Sequence, residues 1–174
     1  MARRSIQQIK KDEEKVIEEL QQNARGIIDS IASKFRFSRQ KVWRIIKRLE
    51  KTKKIWGYSA VIDEEQLGRK RFLILIKRTV EPLDDALPKI IDQTMSTRGR
   101  EIGVSIECSS YLHGIYDWMF IIAARDVKQA KKFCNILTRE YHKWISEIHL
   151  LEDIFPVRKC GILNPNIDRL KDFI

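Results

Sequence analysis

Apolar residues recur at three- and four-residue spacing in three segments of the first 51 residues, a pattern typical of helices with one buried face. The segments run from about Lys11 to Gln22, from Ile27 to Phe35, and from Ser38 to Lys51. The apolar positions of the third segment are Val42, Ile45, Ile46 and Leu49. Ser38 can cap this helix, because its side-chain oxygen can accept a hydrogen bond from the first turn. Three short helices around a shared core are therefore predicted.

Only the residues from Lys34 to Phe37 separate the second and third helices, so a tight turn must join them. The face of the third helix opposite its apolar stripe is polar and mostly basic. It carries Arg39, Gln40, Trp43, Arg44, Lys47, Arg48 and Lys51. A tight turn followed by a capped basic helix is typical of a helix-turn-helix, whose second helix enters the major groove of DNA.

Positive charge is concentrated in this motif. Between Lys34 and Lys54 lie ten Lys or Arg residues and one acid, Glu50, whereas the whole chain of 174 residues carries a net charge of +10. A charge run alone would also fit the solvated face of an ordinary helical hairpin. The cap, the tight turn and the one-sided apolar stripe together favour double-stranded DNA as the partner.

The pattern changes after Arg71, where short β-rich runs alternate with helical spacing. It predicts strand 72–80, helix 83–97, strands 104–112 and 116–125, helix 127–145 and strand 147–157. This βαββαβ order is that of a ferredoxin-like domain with a four-stranded antiparallel sheet. Helices cover only one face of such a sheet, so the other face needs a cover, and a second copy is the simplest one. A homodimer is therefore expected.

The predicted fold class is α+β, with an N-terminal winged helix-turn-helix domain and a C-terminal ferredoxin-like βαββαβ regulatory domain. We expect the DNA-binding domain to span residues 1–54, and a wing with a linking strand to span residues 55–70 because that segment begins with strand formers. The dimerisation domain is expected at residues 71–157, and the family resemblance described below implies that this domain also binds an effector. Residues 158–174 form a C-terminal extension whose role the sequence does not indicate.

Other classes of function find little support. The sequence has no G-x-x-x-x-G-K, G-x-S-x-G or G-x-G-x-x-G motif, and His113, His142 and His149 lack the spacing of a metal site. No enzymatic activity, cofactor or metal is therefore predicted. The three cysteines form no C-x-x-C pair, and no apolar run approaches the roughly 20 residues that span a bilayer. We expect a cytoplasmic protein with reduced thiols.

The chain resembles the Lrp/AsnC (leucine-responsive, or feast/famine) transcriptional regulators over about residues 12–157. In the DNA-binding half the resemblance rests on Ile31–Lys34, Ser38, Val42–Arg44, Ile46–Glu50, Ile55, Gly57–Ala60, Ile62, Asp63, Leu67 and Gly68. In the regulatory half it rests on Gly114–Asp117, Ala124–Asp126 and Phe133. The resemblance implies a regulatory domain that dimerises through its sheet, often assembles into tetramers or octamers, and commonly binds an amino acid between dimers.

The start of the third helix is predicted to read base edges. Arg39 can donate two hydrogen bonds to guanine, and Gln40 can pair with adenine. Trp43 has two interpretations: it projects toward the major groove, or its ring packs in the core beside Val42 and Ile46 and its N–H is offered to a phosphate. The predicted DNA-binding residues are Ser38, Arg39, Gln40, Trp43, Arg44, Lys34, Arg36, Lys47, Lys53 and Lys54. The predicted phosphate contacts among them are Lys34, Arg36, Lys47, Lys53 and Lys54.

A turn between the two middle strands is the predicted site of an effector, such as an amino acid. Its predicted contacts are Tyr111, Leu112, His113, Gly114, Tyr116 and Asp117. Asp117 can bind an ammonium group or hold the loop; alternatively, Gly114 only makes the turn and Asp117 only caps it. Two segments depart from the family pattern, which usually has Gly where Arg36 stands and a Gly within the region of Lys143–Glu147.

One enzymatic alternative is open at this stage. Siroheme decarboxylases have a similar two-domain architecture and use His and basic residues near the sheet. His113 would be a candidate for such a histidine. A basic third helix has no use in decarboxylation, however. The prediction is therefore a sequence-specific transcriptional regulator that binds a near-palindromic operator as a dimer or higher oligomer, with half-sites about 10 bp apart or a multiple of that.

Overall fold

Three helices form the first part of the chain in the computed structural model, which describes residues 5–22 and 27–174. They are α1, Ile6–Gln22, α2, Ile27–Phe35, and α3, Arg39–Lys51. The buried residues of their shared core are Val16, Ile31, Val42, Ile45, Ile46 and Leu49. The α3 members are the predicted apolar stripe, so its periodicity located the buried face correctly. The predicted cap is also observed: Ser38 Oγ accepts a hydrogen bond from the backbone N–H of Lys41 at 3.2 Å.

The turns that end α2 and α3 share one conformation. Arg36 follows α2 with a φ of 53°, and Lys53 follows α3 with a φ of 59°, both in the left-handed region. In each turn the next backbone N–H donates to a carbonyl of the last helical turn, Ala32 at 2.9 Å and Leu49 at 3.0 Å. These are Schellman motifs, in which the left-handed position is usually glycine. Here both positions carry a cation instead.

A four-stranded antiparallel sheet organises the second part of the chain. Its strands are β1, Lys70–Arg78, β2, Ser105–Tyr111, β3, Trp118–Ala124, and β4, Ile145–Asp153. Their order in the sheet is β2-β3-β1-β4, so the first and third strands lie in the middle. In the register of the central strands, Ile74 lies between Phe120 of β3 and Leu150 of β4. The predicted ferredoxin-like domain is confirmed by this order.

Three helices cover one face of that sheet: α4, Leu87–Ile91, α5, Thr94–Glu101, and α6, Val127–Glu140. Alternate residues of β1 face them and are almost fully buried, namely Phe72, Ile74 and Ile76. Phe133 and Leu137 of α6 pack against the same cluster. The chain ends in a short hairpin, β5, Arg158–Lys159, and β6, Ile162–Leu163, followed by a 3₁₀ helix.

The predicted wing and linking strand are wrong as strands. The structure describes every residue from 27 to 174, and it has no strand between Thr52 and Lys70. Strand formers in this segment have no neighbouring strand to pair with, and a strand is stable only in a ladder. Trp56 is 95% exposed, so its apolar surface does not fix the segment to a core either. Ile55 is the exception, because it packs against the three-helix core.

Two predicted helices also differ. The helix expected at 83–97 is broken into α4 and α5, because Gln93 has a φ of 54° and cannot continue a right-handed helix. The helix expected at 127–145 ends at Glu140. Tyr141 and Trp144 continue its apolar spacing but lie in the turn that leads to β4, where the Trp144 indole N–H donates to the Pro82 carbonyl at 2.7 Å.

The described residues divide into two compact units. One contains residues up to 61 together with 157–174, and the other contains residues 62–156. The C-terminal extension thus belongs to the helical unit. Its Gly161 lies close to α1, since a Cβ added to this glycine would be 3.7 Å from the backbone oxygen of Gln21. Within the described ranges, no helix has the length and apolar character needed to cross a bilayer.

Candidate nucleic-acid interface

The outward face of α3 is polar and accessible along its whole length. Arg39, Gln40, Arg44 and Lys47 are all exposed, as the buried stripe on the opposite side requires. Trp43 is 52% exposed, so it lies on this outward face and only partly contacts the helix core. This placement matches the DNA-facing interpretation of the indole. The face therefore presents cations, one amide and one large aromatic ring together.

Internal carboxylates pair with six of the ten cations between Lys34 and Lys54. The pairs are Lys34–Glu19, Arg39–Asp29, Lys41–Asp12, Lys47–Glu50, Arg48–Glu13 and Lys54–Glu13. Exposed pairs such as Arg39–Asp29, whose Nε and Oδ1 atoms are 2.9 Å apart, add little stability and exchange easily for another anion. Their cations remain available to a phosphate or a base.

Two acids of α1 make the least exposed of these pairs. Glu13 is only 7% exposed and holds Arg48 Nε at 2.7 Å and Lys54 Nζ at 2.6 Å. The hydrogen bond from Lys54 lowers the pKa of the Glu13 carboxyl; burial opposes this, and Arg48 lowers it further. Asp12, 3% exposed, holds Lys41 Nζ at 2.6 Å. Together they attach α1 to α3 and to the turn that follows it.

Four cations of the basic stretch take part in no ion pair with any residue that the structure describes: Arg36, Arg44, Lys51 and Lys53. Arg36 and Lys53 occupy the two left-handed turn positions. Arg44 makes only a long hydrogen bond, 3.4 Å, to the backbone oxygen of Gln40. Unpaired surface cations on one motif are the groups that polyanion binding requires.

The predicted phosphate contacts therefore fall into two groups. Arg36 and Lys53 are unpaired and exposed, whereas Lys34, Lys47 and Lys54 each hold a carboxylate of the same unit. Sequence reasoning did not identify these carboxylates, which are Glu19 and Glu13 of α1 for Lys34 and Lys54, and Glu50 of α3 for Lys47. A signal was present for Glu13, because it precedes the buried Val16 by three residues and so shares its helical face.

The predicted effector turn is tied to β1 by its last residue. Asp117 Oδ2 accepts a hydrogen bond from the backbone N–H of Arg78 at 2.8 Å, and Asp117 N–H donates to the Ile76 carbonyl at 2.9 Å. The Asp117 carbonyl also accepts from Leu112 N–H at 2.7 Å, which closes the turn. These contacts match the interpretation in which Asp117 holds the loop.

The remaining residues of the turn are accessible. Tyr111, His113 and Gly114 are exposed, and Gly114 has a φ of 152° that side chains rarely adopt. The Tyr111 hydroxyl accepts from Arg78 Nη1 at 2.7 Å. Tyr116 instead packs edge-on against His149 of β4, with ring centroids 5.5 Å apart. In the part of the chain that the structure describes, no group of three His, Cys, Asp or Glu residues could hold a metal ion.

The sheet face away from the helices has an apolar centre. It contains Leu73, Leu75, Met119, Ile121 and Leu151, which alternate with the core residues and are only partly buried. Ion pairs surround this centre: Arg71 Nε lies 2.7 Å from Glu107 Oε2, and Lys77 Nζ lies 2.9 Å from Glu147 Oε2. An apolar patch with a charged rim is typical of an interface between proteins.

Comparison with known proteins identifies regulators of transcription. No protein-family model matches the sequence. An uncharacterised HTH-type transcriptional regulator of Pyrococcus horikoshii is 27% identical over 129 residues, which cover 74% of this chain and 79% of the relative. This relative shares both parts of the chain, since so long a match must extend beyond the helical unit.

Solved structures give a more complete overlap. An AsnC family transcriptional regulator from Agrobacterium tumefaciens has a TM-score of 0.64 at 16% identity, covering 89% of this chain and 96% of its own. LrpC of B. subtilis has a TM-score of 0.61 at 17% identity, covering 91% and 99%. A regulator from Neisseria meningitidis in complex with L-Met has a TM-score of 0.64 at 17% identity, covering 86% and 92%. The predicted α+β fold class is confirmed by this likeness.

Proposed function

We propose that this chain, which resembles the Lrp/AsnC regulators and shares their fold, is a sequence-specific DNA-binding regulator of transcription in the cytoplasm. The observation that carries the proposal is the outward face of α3. It combines unpaired cations with an exposed amide and an exposed indole, and the opposite face of the helix is buried in the core. The curated relative is likewise named a transcriptional regulator, which supports a regulator over an enzyme.

Base reading is assigned to the start of α3. Arg39 and Gln40 lie in its first turn, and a helix in the major groove contacts base edges with its N-terminal residues. Arg39 must exchange the Asp29 carboxylate for guanine, which costs little because both side chains are more than two-thirds exposed. Each well-formed bidentate contact is worth about 1 to 3 kcal/mol of discrimination between bases.

Phosphate contacts are assigned first to the unpaired cations. Arg36 follows the last residue of α2, and Lys53 lies just after the end of α3. Glycine would adopt the left-handed backbone at either position with less strain. Arg44 and Lys51 extend the same charge along α3. Lys34, Lys47 and Lys54 are expected to make weaker phosphate contacts, because each must first break an ion pair with an acid of the same unit.

Dimerisation is assigned to the open face of the sheet. Burying its apolar centre against a second copy removes that surface from water, and each Å² of apolar surface buried contributes about 25 cal/mol. A two-fold dimer carries two recognition helices and therefore favours a near-palindromic operator, with half-sites one turn of DNA apart, about 10 bp, or a multiple of it. Larger assemblies can form from such dimers.

An amino acid or similar small effector is proposed for the turn at Tyr111–Asp117. The turn is exposed, contains a glycine that leaves room for close approach, and is fixed to β1 through Asp117. The structural neighbour from Neisseria meningitidis was solved with L-Met, so this fold accommodates such a ligand. An effector would act by binding one assembly state more tightly than another.

A gel-shift titration tests the DNA-binding proposal. Purified protein is titrated onto DNA from its own upstream region and onto scrambled DNA of equal length, at two salt concentrations. The expected result is tighter binding to the upstream DNA, with affinity falling steeply as salt rises. Arg44→Ala should weaken binding, whereas Lys131→Ala, which removes an exposed cation of α6, should not. Equal and weak binding to both DNAs would contradict the proposal.

A further inference from the structure

A cavity of about 180 Å³ lies inside the ferredoxin-like unit, between the sheet and its covering helices. Its walls are mainly apolar. Trp118, Phe120 and Ile76 line it from the sheet, and Met95, Leu137 and Trp144 line it from the opposite side. A cavity of about 150 Å³ in another protein accepts benzene, so this one has room for one aromatic ring or a branched chain of similar size.

Arg78, at the end of β1, brings a cation to this apolar wall. Its Nη1 donates to the Tyr111 hydroxyl at 2.7 Å and its Nη2 to the Glu81 carbonyl at 2.9 Å. The buried Nε has no hydrogen-bond partner, and the guanidinium has no ion pair, among the residues that the structure describes. A buried donor without an acceptor is unfavourable, and buried N–H groups are normally paired.

The rim of the cavity is strained at a second place. Gln93 lines the cavity and has a left-handed backbone, and it separates α4 from α5 where one continuous helix was expected. Such backbone strain in a non-glycine residue is unfavourable and tends to occur at sites that hold a ligand. The other cation of the wall, Lys89, is already paired with Glu140, at 3.5 Å. Arg78 is thus the cation that remains for an anion.

We propose that this cavity binds a small monocarboxylate with an aromatic or branched aliphatic tail. The tail lies among Trp118, Met95 and Leu137, and the carboxylate accepts the Nε–H of Arg78. A carboxylate fits better than a neutral group, because hydrogen bonds between two charged partners are about twice as strong as neutral ones.

The proposed site is connected to the turn at Tyr111–Asp117. Arg78 donates to the Tyr111 hydroxyl through its side chain, and its backbone N–H is held by the Asp117 carboxylate. A carboxylate that draws the guanidinium toward the cavity competes with Tyr111 for the same cation. If the proposed regulatory function holds, the ligand therefore alters the turn at which an effector was placed, whereas the binding itself does not depend on that function.

Calorimetric titration of the full chain with phenylacetate, and with 2-phenylethanol as its neutral counterpart, tests the proposal. The acid should bind at least about tenfold more tightly than the alcohol. Arg78→Gln should abolish this preference, and Ala86→Leu, which fills the cavity from α4's N-cap, should abolish binding of both compounds. Arg139→Gln, an exposed arginine of α6 outside the cavity, is the matched control and should bind like the original chain.

NMR provides an independent readout. The Nε–H signal that is absent from the Arg78→Gln spectrum should shift when phenylacetate is added to the original chain. Absence of binding, equal affinity for acid and alcohol, or undiminished acid binding by Arg78→Gln would each overturn the proposal. DNA binding without phenylacetate is measured in parallel, so a failed cavity proposal and a failed regulator proposal give different results.

Discussion

Arg36 offers the sharpest test of the DNA-binding face, because its replacement by glycine should change stability and DNA affinity in opposite directions. Its φ of 53° places it in the left-handed region at the end of α2, and its side chain is exposed and makes no ion pair with the described residues. A residue kept there for folding alone would be glycine. We expect that its charge is kept for phosphate.

The stability change follows from two opposing contributions. The left-handed conformation costs a residue with a Cβ about 1 to 2 kcal/mol, which Arg36→Gly removes. Glycine also makes the unfolded chain more flexible, which returns about 0.4 to 1 kcal/mol. The net gain is therefore about 0.5 to 1 kcal/mol. For a unit of this size that gain corresponds to an increase in Tm of about 2 to 8 °C.

The DNA change follows from the loss of one cation. The slope of log affinity against log salt should become smaller by about 0.9, equally on operator and scrambled DNA, because a phosphate contact carries no sequence information. Differential scanning calorimetry and salt-dependent fluorescence anisotropy measure the two quantities. Lys53→Gly, at a φ of 59°, should behave in the same way.

Lys51→Gly is the matched control, since Lys51 is also an exposed cation without an ion pair but lies within α3. It should lose a similar DNA slope but gain no stability, because its backbone is right-handed helical and glycine is less favourable than lysine there. If Arg36→Gly leaves the salt slope unchanged, Arg36 does not contact phosphate. If it destabilises the protein, the strain argument is wrong.

Three further predictions concern other contacts. Glu13→Gln should lower the free energy of unfolding by about 1 kcal/mol at pH 7. Because Lys54 lowers the pKa of Glu13, this difference from the original chain should persist above the ordinary pKa of 4.5 and vanish as the pH falls through the lowered pKa. Urea unfolding at a series of pH values measures it. Arg39→Ala should weaken operator binding far more than scrambled-DNA binding in anisotropy titrations; equal losses would mean that Arg39 does not read a base. Leu75→Glu, in the apolar centre of the open sheet face, should reduce the mass in sedimentation to that of one 20.6 kDa chain, whereas Asn135→Glu on exposed α6 should not.

The elements that could be predicted from the sequence are those whose apolar spacing results from the burial of one face. Val42, Ile45, Ile46 and Leu49 are buried for the same reason that they are spaced as they are, so both α3 and its polar face were predictable. Trp43 was left undecided, since an indole suits either face. The ferredoxin-like domain was predictable from the βαββαβ order of the elements.

Features that depend on tertiary contacts were not predictable. Tyr141 and Trp144 continue the helical spacing of α6, yet packing against the sheet places them in a turn. Gln93 breaks the expected helix through a backbone conformation that its residue type does not favour. The cavity lined by Arg78 depends on how three helices approach one sheet, which no local pattern encodes.

Carboxylates within the same helical unit lower the effective charge of this motif. A count of the sequence gives ten cations from Lys34 to Lys54, but six of them carry a counterion that is part of the protein. While these six cations hold their carboxylates they neutralise no phosphate, so the counterions that DNA releases come from contacts with the other four. The proposed regulator should therefore remain only briefly on random genomic DNA. Its search for an operator should then proceed by frequent dissociation and rebinding, with residence set by base contacts and not by charge.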